Sequence, residues 1–390
     1  MKKITIVSNY FPPEIGAASN RISKLALGLK ERGFEVSVIC PLPNYPKGKI
    51  FEGYQGKISV TENYQGINVH RLWVYANNSA NKFKRLLGMV SFSLSFVSLA
   101  IFKPSKIAKT VIIQSPPLII AHAVLRILSN KKRTLILNVS DLWPSAGYEL
   151  GAIQKGRAYD LLEKIEKYNY KKPALVLGQS KEILERVTTI IPQQQTFLYR
   201  NFPQPPTDQK EPNYSNDKDI KIIYAGLLGI AQGIVKLCKE IDLAGAELHI
   251  YGAGAEKEEL ETYLKSSNKR IIYHGEVQRE ELLQLLNSFD LAIVPLVRSI
   301  YGSTPSKIYE MAHNHLPVLY FAGGEGENVI KTNNLGYVVS PGDFDTLNKL
   351  IKELDLTEIN NLKRDIGKTA LKNFNIDKQL DGLKEVILKN

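Results

Sequence analysis

Short apolar runs and helix-period stripes alternate along this chain, and the alternation starts twice. In the first half, Ile4–Val7 is followed by Ile22, Leu25, Ala26 and Leu29 at helical spacing, a stripe that stops at Gly33. Val36–Cys40, Val111–Gln114, Thr134–Val139 and Leu175–Gly178 read as further strands. Residues 201–219, rich in Pro, Asn and charge, then mark a domain boundary. Beyond them Ile220–Tyr224, Glu247–Tyr251, Ile271–Tyr273, Leu291–Pro295, Pro317–Phe321 and Tyr337–Val339 resume the pattern. Apolar strands separated by helices argue for parallel sheets covered on both faces, the α/β class. At 390 residues the chain is long enough for two separate cores. No short internal repeat accompanies the alternation.

The charge is unevenly spread. Residues 1–200 hold 29 Lys and Arg against 12 Asp and Glu, while residues 201–390 hold 22 against 27, so a basic half precedes a mildly acidic one. A basic half suits nucleic acid or an anionic membrane surface, and no nucleic-acid-binding motif supports the former. Cys40 and Cys238 each fall in an apolar run and read as buried thiols, which fits a reducing cytoplasm. Lys2 and Lys3 lead straight into a strand run and do not resemble a signal peptide.

Leu86–Phe102 is an apolar run with four serines, bracketed by Lys82, Lys84, Arg85, Lys103 and Lys106. It is at the short limit for crossing a bilayer. Two readings compete: a core helix of the first domain, or a helix dipping into a membrane interface with lysines on lipid phosphates.

Several segments could carry chemistry. Thr304-Pro305-Ser306-Lys307-Ile308-Tyr309-Glu310 reads as a helix start, with Thr304 as N-cap and Pro305 in the first turn. Lys307 brings positive charge to that turn, and Glu310 shares its face and could accept hydrogen bonds from two ribose hydroxyls. An ordinary capped helix with an exposed Lys–Glu pair reads equally well. Gly226-Leu227-Leu228-Gly229-Ile230-Ala231-Gln232-Gly233 follows the first strand of the second half, and Gly252-Ala253-Gly254 follows another. Neither completes a dinucleotide fingerprint, so NAD binding is unsupported. Gly16 and the small residues from Ala17 onward form a similar turn in the first half, where a simple tight turn is as good a reading. Asp141 could orient or deprotonate an acceptor hydroxyl and Trp143 could stack on a sugar; the alternative is a turn aspartate beside a core tryptophan. Asp343-Phe344-Asp345 and Asp217-Lys218-Asp219 match Asp-x-Asp, but the first looks like a helix start and the second lies in the linker, so no metal site is assigned. No Ser-His-Asp or reactive-Cys pattern is evident.

Taken in order, Tyr10-Phe11-Pro12-Pro13-Glu14-Ile15-Gly16, Arg21, Pro43-Asn44-Tyr45-Pro46, Ser115-Pro116-Pro117, Asp141-Leu142-Trp143-Pro144, Arg200-Asn201, Gly226–Gly233 and Pro305-Ser306-Lys307 through Glu310 resemble the retaining glycosyltransferases of family 4. The resemblance covers nearly the whole chain and is nearest to bacterial surface-polysaccharide sugar transferases of the N-acetylfucosamine type. It implies the GT-B fold: α/β, two Rossmann-like domains with parallel sheets facing across a cleft. The domains would be residues 1–202, facing acceptor and membrane, and 203–374, binding the nucleotide-sugar, with 375–390 a helix packing back on the first. Glu310 would bind the ribose. Gly226, Leu228, Gly229, Gln232, Gly233, Gly252, Ser306 and Lys307 would hold the donor, with Gly16 and Ala17 closing over it. Asp141 would work beside the acceptor, with Arg21, Tyr45 and Trp143 on the acceptor side; Asp141 and Lys307 are the catalytic candidates. Many members carry a glutamate eight residues before the one matching Glu310, where this chain has Gly302. The Arg and Lys that often follow the second-domain glycine loop are missing too, with Gln232 nearby instead.

The expected activity is a retaining, metal-independent hexosyltransferase without a cofactor. It would move a sugar, N-acetylated and UDP-linked, onto a polyprenyl-diphosphate-linked saccharide during lipopolysaccharide O-antigen or capsule synthesis. The expected location is the cytoplasm, peripherally on the inner face of the cytoplasmic membrane. The alternatives are a GT-B-fold UDP-sugar epimerase and a non-catalytic membrane-bound assembly factor with a degenerate donor site.

Overall fold

The computed structural model describes residues 2–78, 81–129, 132–149, 151–206, 211–214 and 219–389. Its first sheet is built from β1 (Lys3–Val7), β2 (Glu35–Pro41), β3 (Ser59–Tyr64), β4 (Ile67–Leu72), β5 (Thr110–Ser115), β6 (Thr134–Val139), β7 (Leu175–Gly178) and β8 (Thr196–Leu198). The spatial order is β3-β4-β2-β1-β5-β6-β7-β8. Every pairing is parallel except the edge hairpin β3–β4, so this sheet is mixed rather than purely parallel. The hairpin turns through Gln65 and Gly66, both at positive φ, as a tight two-residue hairpin turn requires. Sequence patterning passed over both strands. Arg71 occupies an inward position of β4 with 1% exposure, and a charge there breaks the apolar run that marks the other strands.

The second sheet comprises β9 (Lys221–Ala225), β10 (Glu247–Tyr251), β11 (Ile271–Gly275), β12 (Leu291–Pro295), β13 (Val318–Phe321) and β14 (Gly336–Val339). It is wholly parallel, ordered β11-β10-β9-β12-β13-β14. Its core is the inward-facing set Ile222, Leu248, Ile250, Ile293 and Leu319, while Val111, Ile113, Leu135, Leu137 and Val176 serve the first sheet. Both cysteines are free and buried, and burial pushes each thiol up to about 12.

Each sheet reverses its winding once. In the second, the chain steps outward from β9 through β10 to β11, then returns to β12 and winds the other way. The loops after β9 and β12 therefore part, leaving a crevice at the carboxyl ends of neighbouring strands. The same reversal falls between β1 and β5 in the first sheet.

Two compact units result: Met1–Asn201 together with Asp377–Asn390, and Phe202–Ile376. Most of the helix Ile376–Lys389 thus belongs to the first unit. Arg32 binds Asp377 and Asp381 at 3.0 and 2.7 Å, and the Gln379 amide exchanges two 2.8 Å hydrogen bonds with the Arg200 backbone. In the second unit Phe202 packs on Tyr309 and Phe374.

Leu86–Phe102 lies in one helix, Lys82–Phe102, capped by the Asn81 side chain. Phe92, Ser93, Phe96 and Ala100 are buried, and much of its remaining surface is open to solvent. Only one stripe of this helix is core.

Candidate functional site

In the second unit, the crevice between β9 and β12 holds a cavity of about 140 Å³, lined among others by Gly226, Leu227, Gln232, Pro295, Pro305 and Lys307. The loop after β9 forms its rim and packs tightly on the turn after β10. Gly226 N–H donates to Tyr251 O, and Leu228 N–H to Ala253 O. Gly252, at φ +141°, is the residue that permits this, because a Cβ there would lie 1.8 Å from Gly226 O. Its role is to let the glycine loop approach, and its own N–H is taken by Gly275 O. Leu228 is fully buried, with its N–H and carbonyl both bonded within the protein, so it supports the loop instead of facing a ligand.

The helix after the loop, Ile234–Glu240, starts at Gly233, a left-handed residue. Its Ile234 N–H already donates to Glu256 Oε2 at 2.8 Å, so a protein carboxylate fills a donor position expected to serve a diphosphate. Among the described residues, the Gly229, Ile230 and Ala231 amides donate to no protein acceptor. Gln232 Oε1 is buried beside them without a partner.

After β12 the helix runs Lys307–His313, later than the Thr304 cap implied. Ser306 is the N-cap and makes no side-chain cap bond; Ile308 N–H reaches Pro305 O, so Pro305 opens a tight turn ahead of the helix. Thr304 Oγ1 is buried, with no partner among the described residues. One turn in, Glu310 is 7% exposed and its carboxylate is gripped twice. Lys307 Nζ lies 2.7 Å from Oε2, and Arg279 Nη2 lies 2.6 Å from Oε1. Burial pulls the Glu310 carboxyl upward, but the two cations outweigh it and hold it below the usual range. Arg279 begins a helix beyond β11, and nothing in the local sequence marked it.

In the first unit, the loop after β1 runs from Ser8 to the helix start at Gly16, and Ala17 opens that helix with its side chain exposed. Glu14, 4% exposed, ties this loop to the next: its Oε1 accepts the N–H groups of Asn44 and Tyr45 at 2.8 and 2.9 Å. Burial raises the Glu14 carboxyl, partly offset by those same bonds. Arg71 donates to Pro12 O from below and to Glu62 Oε1 at 2.6 Å. The Tyr45 ring lies against Gly16 and edge-on to Tyr10, with centroids 5.3 Å apart. Ser19 Oγ, in the first turn of the helix, is buried without a partner among the described residues.

Asp141 follows β6. The residue is exposed, though protein packed around its carboxyl crowds it. That crowding raises its carboxyl, with Arg21 and the Ser140 hydroxyl pulling the other way. Behind it runs a buried polar chain: Asn138 Nδ2 donates to Gln114 Oε1 at 2.7 Å, Gln114 Nε2 to Ser140 Oγ at 3.1 Å, and Ser140 Oγ contacts Asp141 Oδ2 at 3.2 Å. With the Gln179 amide oxygen turned toward it, Arg21 donates from Nη1 and Nε at 2.9 Å. Trp143 is half-buried, and its six-membered ring packs against Gly147. Asp343 caps the helix Phe344–Glu353 by accepting Thr346 N–H, and Asp217 and Lys218 lie outside the described residues.

The second sheet has the strand order 3-2-1-4-5-6 of a Rossmann domain, and the first carries its motif loops at the same kind of winding reversal. Two such α/β units in one chain are the GT-B fold. Residues 221–355 match the family model described as Glycosyl transferases group 1, and residues 16–197 match that of the Glycosyl transferase 4-like domain. The chain belongs to the glycosyltransferases of the GT-B type. No curated protein matches it significantly. Among solved structures, it is similar to sucrose-phosphate synthase from Thermosynechococcus elongatus (TM-score 0.74, 14% identity, 100% of this chain and 99% of that one). It is also similar to the lipopolysaccharide outer core galactosyltransferase WaaB (0.67, 15%, 99% of both chains) and to Anabaena HepE in complex with UDP (0.69, 12%, 100% of both). At these identities the likeness is one of fold.

Proposed function

We propose that this glycosyltransferase takes its sugar from a UDP-linked donor, N-acetylated at the sugar, and passes it with retention to a polyprenyl-diphosphate-linked saccharide. The observation that carries the reading is Glu310, a buried carboxylate kept ionised by Lys307 and Arg279 beside the crevice between β9 and β12. A ribose diol donates two hydrogen bonds, and an ionised carboxylate is the strongest acceptor for them. The likeness to HepE holding UDP supports the choice of nucleotide. The likenesses to WaaB and to WaaG, a glycosyltransferase involved in lipopolysaccharide biosynthesis, support a role in surface-polysaccharide assembly. The reading places that work at the inner face of the cytoplasmic membrane.

In this scheme the Gly229–Ala231 amides and Lys307 stabilise the leaving diphosphate as the bond from the anomeric carbon to its oxygen breaks, without help from a metal. The acceptor hydroxyl attacks the same face and gives its proton to the departing phosphate. Asp141, with a raised carboxyl, orients that hydroxyl, and Arg21, Tyr45 and one face of Trp143 hold the acceptor saccharide. Purified protein is assayed with UDP-sugars and a lipid-linked acceptor. The reading requires UDP release that depends on acceptor. Acceptor-independent interconversion of the donor, or absence of UDP binding by calorimetry, ends it.

A further inference from the structure

From Asn63 to Ser140 the chain contains no Asp or Glu and eleven Lys or Arg. In the middle of this stretch stands the helix Lys82–Phe102. Its Phe92–Phe96–Ala100 stripe belongs to the core. A second face is fastened down: Ser91 Oγ accepts Tyr75 N–H and Ser95 Oγ donates to Trp73 O, both at 2.8 Å. A third stripe, Phe83, Leu87, Val90, Leu94 and Ile101, repeats at i, i+4, i+7, i+11 and i+18 and faces outward. Phe83 is 79% exposed and Leu94 64%. The segment stapled to the serine face borders this stripe, and it presents Trp73 and Tyr75, also exposed.

An apolar stripe alone would suit several occupants; the charge around it selects one. Lys82, Lys84 and Arg85 stand at one end, with Lys103 and Lys106 at the other. No carboxylate interrupts them, and an indole and a phenol border the stripe, as aromatic rings do at a lipid headgroup layer. A helix crossing the bilayer would have to pull Phe92, Phe96 and Ala100 out of the core, whereas a helix lying flat keeps them there.

We infer that Lys82–Phe102 docks in the plane of an anionic lipid surface. Phe83, Leu87, Val90, Leu94 and Ile101 enter the acyl boundary, Trp73 and Tyr75 sit at headgroup level, and the flanking cations meet lipid phosphates. The inference deepens the lipid-linked acceptor reading, but its test needs no transfer reaction.

The whole protein is floated with vesicles of phosphatidylcholine alone or mixed with phosphatidylglycerol. Partitioning onto the mixed vesicles that weakens with salt is expected, and Leu87→Glu with Leu94→Glu should reduce it by roughly tenfold or more. Both leucines are exposed, so an unchanged unfolding midpoint is expected; if it falls, Lys82→Glu with Lys84→Glu must produce the same loss. In a Trp143→Phe background, emission from Trp73, the remaining indole, should shift to the blue on the mixed vesicles. Equal partitioning of variant and parent overturns the inference, as does resistance to alkaline extraction. So does lipid-independent self-association abolished by the leucine substitutions, which would make a second copy the occupant. Vesicle binding without sugar transfer leaves this inference standing and removes the proposed function. Transfer to a water-soluble acceptor without vesicle binding does the reverse.

Discussion

Arg279 Nη2 stands 2.6 Å from Glu310 Oε1, on the carboxylate oxygen that Lys307 does not use. Each carboxylate oxygen keeps a second lone pair, so a ribose can bind beside these cations or displace one, and a displaced cation is at hand for the diphosphate. Glu310→Gln removes the charge while keeping the shape, and UDP affinity by calorimetry should fall about tenfold to a hundredfold. Arg279→Ala should weaken UDP severalfold and flatten its salt dependence; tighter binding would mean that Arg279 only blocks the seat.

The same pair sets a pH dependence of stability. The folded Glu310 carboxyl lies below its unfolded value, so its contribution is present above that value, about 4.3, and is lost as pH falls through the lower folded one. The stability difference between the parent protein and Glu310→Gln should be flat above about pH 5 and shrink in more acid solution. Chemical unfolding at stepped pH measures it.

Asp141 is shifted the other way. Its crowded carboxyl holds a proton to higher pH than an ordinary aspartate. If the ionised form orients the acceptor, the acid limb of kcat should lie above about 3.9, the usual aspartate value. Asp141→Asn should abolish that limb and lower kcat, with UDP affinity unchanged.

Glu14 fastens the Asn44–Tyr45 backbone to the loop after β1. Glu14→Ala leaves two N–H groups without their acceptor, and a loss of about 2 kcal/mol is expected, less than two full penalties because a buried carboxylate goes as well. Acceptor KM should rise while UDP affinity holds.

Gly252→Ala tests the seating of the glycine loop without any assay of function. Its Cβ would meet Gly226 O at 1.8 Å at a φ that side chains avoid. A cost of about 3 kcal/mol or more, read from the unfolding midpoint, is expected. A variant as stable as its parent would mean that the two turns can separate.

Six strands of the second sheet and five of the first were legible because each is a short apolar run between turn residues. The hairpin β3–β4 was not, since Arg71 sits in β4 where an apolar residue would have revealed it, and neither was β8, three residues long with none fully buried. Lys307 and Glu310 were legible because one helical turn separates them. Arg279, Glu256 and Gln179 reach their partners from other elements, and no local pattern records such a meeting. The Thr304-Pro305 signal pointed to the right helix but placed its start too early, because the backbone makes a tight turn first.

The chain leaves its first unit after Asn201 and re-enters it at Asp377. During synthesis, Phe202–Ile376 is therefore complete before Arg32 can meet Asp377 and Asp381, or Lys2 can reach the Ile387 carbonyl. The unit made second on the ribosome is the one able to finish folding first. The unit made first waits with one helix face uncovered, including the Gly28 surface that Leu380 later packs against. A chain truncated after Ile376 should resist protease across residues 221–355 and still be cut within 1–201.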